Sequence, residues 1–253
     1  MQNKNSKGCS LCRDSTPFPL ELAMAFQPIV ELSTGKIFAH EALVRGAGGE
    51  SAGEVFSHVT KTNLYIFDQT CRIRAIEEAA RIGIQSNVSI NFMPNAVYRA
   101  ETCIQRTLQA AESCDFPLEK IIFEVTETDQ IPDRKHLRNI LEYYKQRGFQ
   151  TAIDDFGDGY AGLNLMADFT PDIVKLDIDL IRDVDTDRKR RSIIRHMVAL
   201  SHDLGIRVIA EGVETRSERD ALRELGIDLF QGFYFARPAF RARGEINPES
   251  LTA

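Results

Sequence analysis

Residues 133–155, DRKHLRNILEYYKQRGFQTAIDD, contain one complete helix, turn and strand of this 253-residue chain. The apolar side chains of the first part recur with a 3.6-residue period, at Leu137, Ile140, Leu141 and Tyr144. This pattern predicts a helix over 133–147 that packs one face on a sheet and ends at Gly148. The strand predicted over 151–154 is apolar until it reaches Asp154 and Asp155. The stretch therefore predicts a helix beside a strand with an acidic end.

The same alternation runs through most of the chain. The predicted strands cover 23–30, 36–44, 88–91, 121–124, 151–154, 173–175, 208–210 and 229–230. The predicted helices cover 56–82, 101–112, 133–147, a stretch that ends at Gly205, and 217–225. A turn at 33–35 makes the first two strands an antiparallel hairpin, and the later alternation predicts a parallel sheet. About eight strands, with no Gly-rich nucleotide motif after the first, favour a TIM-like barrel over an open doubly wound sheet.

Most of these strands end on a polar or charged side chain. The set comprises Glu41, Asn91, Glu124, Asp154, Asp155, Lys175, Glu211 and Gln231. Because the carboxyl ends of parallel barrel strands share one rim, we expect these side chains to meet. Carboxylates, an amide and a lysine, without histidine, indicate hard divalent cations and a phosphate. Two alternatives stay open here: the adjacent aspartates could simply start a turn, and Lys175 could be a charge partner of Asp177.

The composition restricts the class of partner and the compartment. With 43% hydrophobic and 27% charged residues, the chain has a soluble globular composition, and no apolar run approaches the ~18 residues of a membrane span. A balance of 31 basic and 37 acidic residues, −6 in total, argues against duplex nucleic acid as a partner. The first residues lack an apolar signal core, so we expect a cytoplasmic protein. Cys9 and Cys12 are interpreted either as functionless tail cysteines or as half of a metal or redox site.

Several motifs occur in an order and spacing that carry a family resemblance. They are Phe26-Gln27-Pro28-Ile29-Val30, Glu41-Ala42-Leu43-Val44-Arg45, Asn91-Phe92-Met93-Pro94, Glu124-Val125-Thr126-Glu127, Asp154-Asp155-Phe156-Gly157, Lys175-Leu176-Asp177, Glu211-Gly212-Val213-Glu214 and Gln231-Gly232-Phe233. From Ala23 to Pro238 the chain resembles the EAL domain family of cyclic-di-GMP phosphodiesterases. The resemblance implies an α/β fold, a modified TIM barrel whose first strand is antiparallel. We expect the barrel over 20–245, between a flexible tail over 1–19 and a short tail over 246–253.

The resemblance also implies an activity and a metal site. The expected reaction is hydrolysis of cyclic di-GMP to linear pGpG by a water that two Mg²⁺ or Mn²⁺ ions activate. One ion would be held by Glu41, Asn91, Glu124 and Asp154, and the other by Asp154, Asp155 and Glu211. Five carboxylates against four positive charges leave such a site slightly anionic, so a lysine beside the nucleophile would be needed. Cations beside that lysine should also lower its pKa.

The remaining site residues have roles carried over by position. The implied catalytic residues are Lys175, which would orient or deprotonate the water, Glu41, and Gln231, which is either a partner of that water or a substrate contact. The implied substrate-binding residues are Gln27, Leu43, Arg45, Asp177, Gln231 and Phe233. For Leu43 and Phe233, plain core packing stays an alternative. Glu127 and Glu214 are expected to brace the loop after Asp155. As alternatives, either could be a helix N-cap or a solvated carboxylate at a helix start.

Two other classes of function remain open at this point. The same fold could be a catalytically silent cyclic-di-GMP receptor or a protein-interaction module. Without the resemblance, a metal-dependent lyase or aldolase is a further reading, in which Lys175 abstracts a proton or forms a Schiff base. The family resemblance also suggests a homodimer.

Overall fold

The computed structural model of the chain describes residues 15–126, 133–159 and 162–252. Its strands are β1 Leu22–Glu31, β2 Lys36–Gly46, β3 Asn87–Asn91, β4 Ile121–Thr126, β5 Gln150–Phe156, β6 Ile173–Leu176, β7 Arg207–Ala210, β8 Leu229–Phe230 and β9 Ala239–Phe240. Its α-helices are α1 Ala52–Ser57, α2 Leu64–Arg81, α3 Ala100–Cys103, α4 Gln105–Ser113, α5 Arg134–Gln146, α6 Gly162–Asp168, α7 Ile178–Ile181, α8 Arg188–Asp203 and α9 Arg216–Glu224. In these described ranges, no helix has the length and apolar character that crossing a bilayer requires.

The strands close into a barrel. They are hydrogen-bonded in the order β2, β3, β4, β5, β6, β7, β8, β1, and β1 also pairs with β2. β1 is antiparallel to both β2 and β8, whereas β2 to β8 are parallel to one another. The short β9 pairs antiparallel with β1 at Ala25 and Phe26. This architecture confirms the predicted modified TIM barrel with an antiparallel first strand.

Seven strands each contribute one side chain to a separate apolar cluster. Its members are Ile29, Ala39, Ile122, Ala152, Ile173, Ile209 and Leu229. A cluster to which seven of the eight barrel strands each contribute one residue must fill the barrel interior. Because strand side chains alternate between faces, the residues two positions away toward the same end of the barrel also point inward. These lie two positions earlier in the antiparallel β1 and two positions later in the other six strands. In the same strand order, those residues are Gln27, Glu41, Glu124, Asp154, Lys175, Glu211 and Gln231.

The helix predicted from the opening stretch is confirmed, and its four apolar side chains are buried. Two other predicted helices are each two helices in the structure. The stretch predicted over 56–82 is divided into α1 and α2, and the stretch over 101–112 into α3 and α4. A capping box between Ser51 and Glu54 starts α1 before the predicted position. The short helices α6 and α7 were not predicted, because seven and four residues carry too little periodicity to detect.

Candidate metal centre and active site

The inward-pointing residues Gln27, Glu41, Glu124, Asp154, Lys175, Glu211 and Gln231 form a polar layer of the barrel interior. Lys175 lies at its centre and is fully buried. Its Nζ is 2.7 Å from Glu211 Oε1, 2.9 Å from Asp154 Oδ1, 3.2 Å from Glu124 Oε1 and 3.7 Å from Glu41 Oε2. These four carboxylates belong to residues far apart in sequence, and the barrel brings them together. The alternative that Lys175 pairs with Asp177 is wrong, because Asp177 caps α7 by accepting a hydrogen bond from the Asp179 amide at 2.7 Å.

Asp154 and Asp155 are brought to the same site by an irregularity in β5. The pairing of β5 with β6 shifts register between Ile153 and Phe156. Asp155 has a φ of 52°, in the left-handed region that aspartate tolerates better than most residues. Neighbouring side chains on a regular strand point to opposite faces. The bulge interrupts this alternation, so both aspartates can face the same site. The strand continues to Phe156, so the pair lies at a bulge within β5 rather than at its predicted end.

The carboxylates form two groups that share one member. Oxygens of Glu41, Glu124 and Asp154 lie within 4.8 Å of one another, and so do oxygens of Asp154, Asp155 and Glu211. Asn91 lies beside the first group, where its Nδ2 donates to Glu41 Oε1 at 3.1 Å. A shared carboxylate between two oxygen sites suits a pair of hard divalent cations. The carboxylates of the two groups are those predicted from the sequence for the two ions, and ligation itself remains a prediction.

The electrostatics of the cluster fit a site for cations. Burial, together with Asp154 and Glu41, raises the pKa of Glu124 to about 8 against the opposing effect of Lys175. Burial and the Asp154 charge likewise raise the pKa of Asp155 to about 6, and the pKa of Glu211 is also raised. Glu124 Oε2 is buried and has no hydrogen-bond donor within the described residues. The raised pKa values indicate that one lysine does not offset the repulsion among these carboxylates, and divalent cations would relieve it.

The pKa of Lys175 differs from the sequence expectation. Burial lowers it, but the negative charges of Asp154, Glu124, Glu211 and Glu41 outweigh burial and hold it well above its usual range. The expected lowering therefore does not come from the protein residues. It would require the positive charge of cations beside the amine.

Gln231 is bonded to two other residues of the polar layer. Its Nε2 donates to Glu41 Oε2 at 2.6 Å and to Gln27 Oε1 at 3.2 Å. Gln27 in turn donates to the carbonyl of Ala236 at 3.1 Å, which fixes it to the segment after β8. The contact with Glu41 favours the interpretation of Gln231 as a partner of the ion and water site.

Two cavities open beside the carboxylates and include every predicted substrate contact. One cavity, of about 410 Å³, has a mostly apolar lining that also includes Arg45, Asn91, Asp154 and Asp155. Leu43 is one of its apolar residues. A second cavity, of about 240 Å³, is lined by Gln27, Asp177, Gln231 and Phe233 among others. Phe233 is 49% exposed, with the Arg237 guanidinium 4.2 Å from its ring centre, so core packing is wrong for this residue. Leu43 is only partly buried, on the wall of the larger cavity.

Of the two residues expected to brace the loop after Asp155, only Glu214 is among the described residues, and it forms an ion pair with Arg182. Glu214 lies 3.3 Å from the Arg182 guanidinium, which also contacts Glu218 at 3.0 Å. This ties the segment after β7 to the segment after α7. Thr215, not Glu214, is the N-cap of α9. Glu127 lies outside the described residues, as do Cys9 and Cys12.

Sequence reasoning missed Ser89 and a buried ionic network. The Ser89 hydroxyl donates to Glu124 Oε1 inside the barrel. Behind the site, Asp68 Oδ1 accepts from the Met93 amide at 2.9 Å, and Arg72 contacts Asp68 Oδ2 at 2.6 Å. Ser89 had a signal, since it lies two residues before Asn91 in an otherwise apolar strand. Asp68 had none, because a mid-helix aspartate is ordinarily solvated.

Gly232→Ala should destabilise the fold next to Gln231. At Gly232 the backbone φ is 156°, and an added Cβ would collide with the backbone of Val213. We expect the free energy of unfolding to fall by about 2–4 kcal/mol, because two strand-end segments must separate. Gly226→Ala is the matched control: its φ is 94°, but the nearest atom to its Cβ would be Val198 Cγ1 at 3.7 Å. In urea denaturation, Gly226→Ala should lower the free energy of unfolding by about 1 kcal/mol. An equal decrease in both variants would contradict the collision with the Val213 backbone as the cause.

The chain is similar to proteins of known family and known structure. The family model described as EAL domain matches residues 20–238. The cyclic di-GMP phosphodiesterase RocR of Pseudomonas aeruginosa is 29% identical, over 86% of this chain and 57% of RocR. A standalone versatile EAL protein from Vibrio cholerae O395, solved in its c-di-GMP bound form, is 50% identical with a TM-score of 0.90, covering 94% of this chain and 100% of that one.

A third protein provides structures with metal ions. Klebsiella pneumoniae BlrP1, solved with cyclic di-GMP and manganese, is 34% identical with a TM-score of 0.85, covering 90% of this chain and 58% of that one. It was also solved with cyclic di-GMP and calcium. The chain spans between 27% and 57% of the length of eight curated relatives.

Proposed function

The chain belongs to the EAL domain family, and we propose that it is a metal-dependent phosphodiesterase that hydrolyses cyclic di-GMP to linear pGpG. One observation carries the proposal: Asp154 is common to two carboxylate groups, and buried Lys175 lies against both. A module that only bound the nucleotide would not need a fully buried lysine among four carboxylates, which is costly to assemble. The activity would lower the concentration of the second messenger.

The proposed ion ligands follow from the two groups. Glu41, Asn91, Glu124 and Asp154 would hold one divalent cation, and Asp154, Asp155 and Glu211 the other. When bound, a pair of Mg²⁺ or Mn²⁺ ions would activate water as a nucleophile and offset the charge that develops on the phosphate. That BlrP1 was solved with calcium and with manganese in complex with cyclic di-GMP supports a role for divalent cations in this fold.

The protein residues would orient the water and move its proton. With cations offsetting the nearby carboxylates, the Lys175 amine could accept the proton of the attacking water or hold that water by a hydrogen bond. Gln231, fixed by Glu41 and Gln27, would present its buried Oε1, which has no hydrogen-bond donor among the residues described here. Both groups are held by the barrel wall before the substrate arrives, so little reorganisation is needed.

The two cavities would accommodate the two halves of the substrate. Arg45 beside the larger cavity supplies a planar cation that suits a phosphate. Phe233 presents half of its side chain beside the smaller cavity, where a guanine base could stack on it. Asp155 lines both cavities, so the scissile phosphate would be held beside the ions.

Incubation with cyclic di-GMP and Mg²⁺ or Mn²⁺ should give pGpG, detected by chromatography, while Ca²⁺ should support little turnover. The three function classes give different results in this assay. Binding of cyclic di-GMP without product would indicate the silent receptor instead. Covalent trapping of a carbonyl substrate on Lys175 by borohydride would indicate the lyase or aldolase.

Saturating Mn²⁺ should raise the melting temperature of the full chain. A cation that binds the folded state at 100 times its dissociation constant stabilises it by about 2.7 kcal/mol, which for a chain of this size corresponds to roughly 5–10 °C. The shift should disappear when EDTA is added. A melting temperature that does not respond to Mn²⁺ or Mg²⁺ would contradict the ion site, independently of any substrate.

A further inference from the structure

Ser89 lies inside the barrel between two predicted ion ligands. In the pairing of β3 with β2, Ser89 is opposite Glu41. In the pairing of β3 with β4, Asn91 is opposite Glu124. Side chains two residues apart on a strand share a face, so Ser89 and Asn91 both point toward the carboxylates. The Ser89 side chain is almost completely buried.

The two oxygens of the Glu124 carboxylate have different surroundings. Oε1 accepts the Ser89 hydroxyl and is 3.2 Å from Lys175 Nζ. Oε2 is equally buried, but in the described parts of the chain it has no hydrogen-bond partner. One oxygen is thus anchored to the neighbouring strand, and the other remains available as a ligand atom.

We propose that Ser89 is a positioning residue whose hydroxyl fixes the orientation of the Glu124 carboxylate, so that its second oxygen is held in place for a divalent cation. This inference rests on the ion site of the proposed function. A glutamate has three side-chain torsions, and ordering them at the moment of binding would cost free energy. A hydrogen bond that orders the carboxylate beforehand reduces this cost.

A serine suits this position better than a charged donor. A second lysine or an arginine would also orient Glu124, but its positive charge would weaken the attraction of the cluster for cations. The hydroxyl donates one hydrogen bond and adds no charge. When cations are present and Lys175 turns toward the attacking water, Ser89 would continue to hold Oε1.

A second buried hydroxyl provides a matched control. Thr151 on β5 is also buried, and its hydroxyl donates to Asp172 Oδ2 at 2.9 Å. That bond is chemically similar, but Asp172 lies outside both carboxylate groups. Thr151→Val removes this hydroxyl without changing the volume, as Ser89→Ala removes the hydroxyl near the ions.

The test measures Mn²⁺ affinity of the full chain by isothermal titration, together with the melting temperature in EDTA. Ser89→Ala should weaken Mn²⁺ binding about 10–100-fold, the usual range for partners of metal ligands. Ser89→Thr, which keeps the hydroxyl, should bind within a few-fold of the wild type. Thr151→Val should also keep the wild-type affinity, whatever its effect on the melting temperature in EDTA.

Wild-type Mn²⁺ affinity in Ser89→Ala would overturn the role of Ser89, and so would an equal loss in Thr151→Val. Should Ser89→Ala fail to fold, Ser89→Cys, a weaker donor of similar size, decides the same question: weakened binding supports the role and unchanged binding overturns it. A wild-type protein that binds no Mn²⁺ would overturn the proposed ion site itself. Failure of the two proposals is therefore distinguishable.

Discussion

Asp154→Asn should abolish the hydrolysis of cyclic di-GMP, with kcat/KM at least about 1,000-fold below that of the wild type. Asp154 belongs to both carboxylate groups, so this change removes a negative charge from each proposed ion site at once. The amide is nearly isosteric with the carboxylate, so the packing of β5 should be preserved. The variant should therefore lose both its activity and the increase in melting temperature that Mn²⁺ causes in the wild type.

The control for Asp154 is an aspartate of the same segment. Asp158 is exposed in the turn after β5 and is not a predicted ligand. Asp158→Asn should keep both turnover and the Mn²⁺ response within about two-fold of the wild type. Turnover retained in Asp154→Asn, or lost equally in both variants, would contradict the assignment of Asp154 as the shared ligand.

Lys175→Met should reduce kcat by about 10²–10⁴-fold, the usual contribution of a positioned acid or base. The methionine has a similar volume, but it leaves the surrounding carboxylates without the lysine charge that now offsets them. In EDTA the variant should therefore melt below the wild type. Mn²⁺ should raise its melting temperature by more than it raises that of the wild type, because cations would relieve a larger excess of negative charge.

This combination separates catalysis from folding. If the role of Lys175 were purely structural, the Lys175→Met variant would regain turnover when Mn²⁺ restores its stability. We expect it instead to remain inactive in saturating Mn²⁺. Lys145→Met provides a control, since Lys145 pairs with Asp172 at 3.0 Å on the protein surface. Full turnover of Lys175→Met in Mn²⁺ would remove Lys175 from the reaction.

The barrel and its polar rim could be predicted from the sequence because both depend on strand periodicity. An apolar residue such as Ala152 and the carboxylate two positions later share one face, so the interior layers follow from the pattern of alternate residues. The hairpin of β1 and β2 also follows from its short turn, and it fixes the antiparallel first strand. These features are local in sequence, although the barrel they produce brings together residues that are far apart in the chain.

Other features depend on contacts that a linear pattern does not contain. The bulge at Asp155 arises where the pairing of β5 with β6 changes register, and this information is shared between two strands. Three partners of Lys175 lie within β2, β4 and β5, and the fourth follows β7 directly. The sequence therefore indicated the set, but not that the lysine contacts all four. The contact between Asp68 and the Met93 amide joins a mid-helix residue to a loop, and nothing in the local sequence marks it.

The anomalous signal from crystals soaked in Mn²⁺ reports directly on the proposed metal centre. We expect two peaks about 3.5–4 Å apart on either side of Asp154. One should lie among Glu41, Asn91 and Glu124, and the other between Asp155 and Glu211. An anomalous map without peaks among these oxygens, in crystals that carry Mn²⁺, would contradict the proposed metal centre.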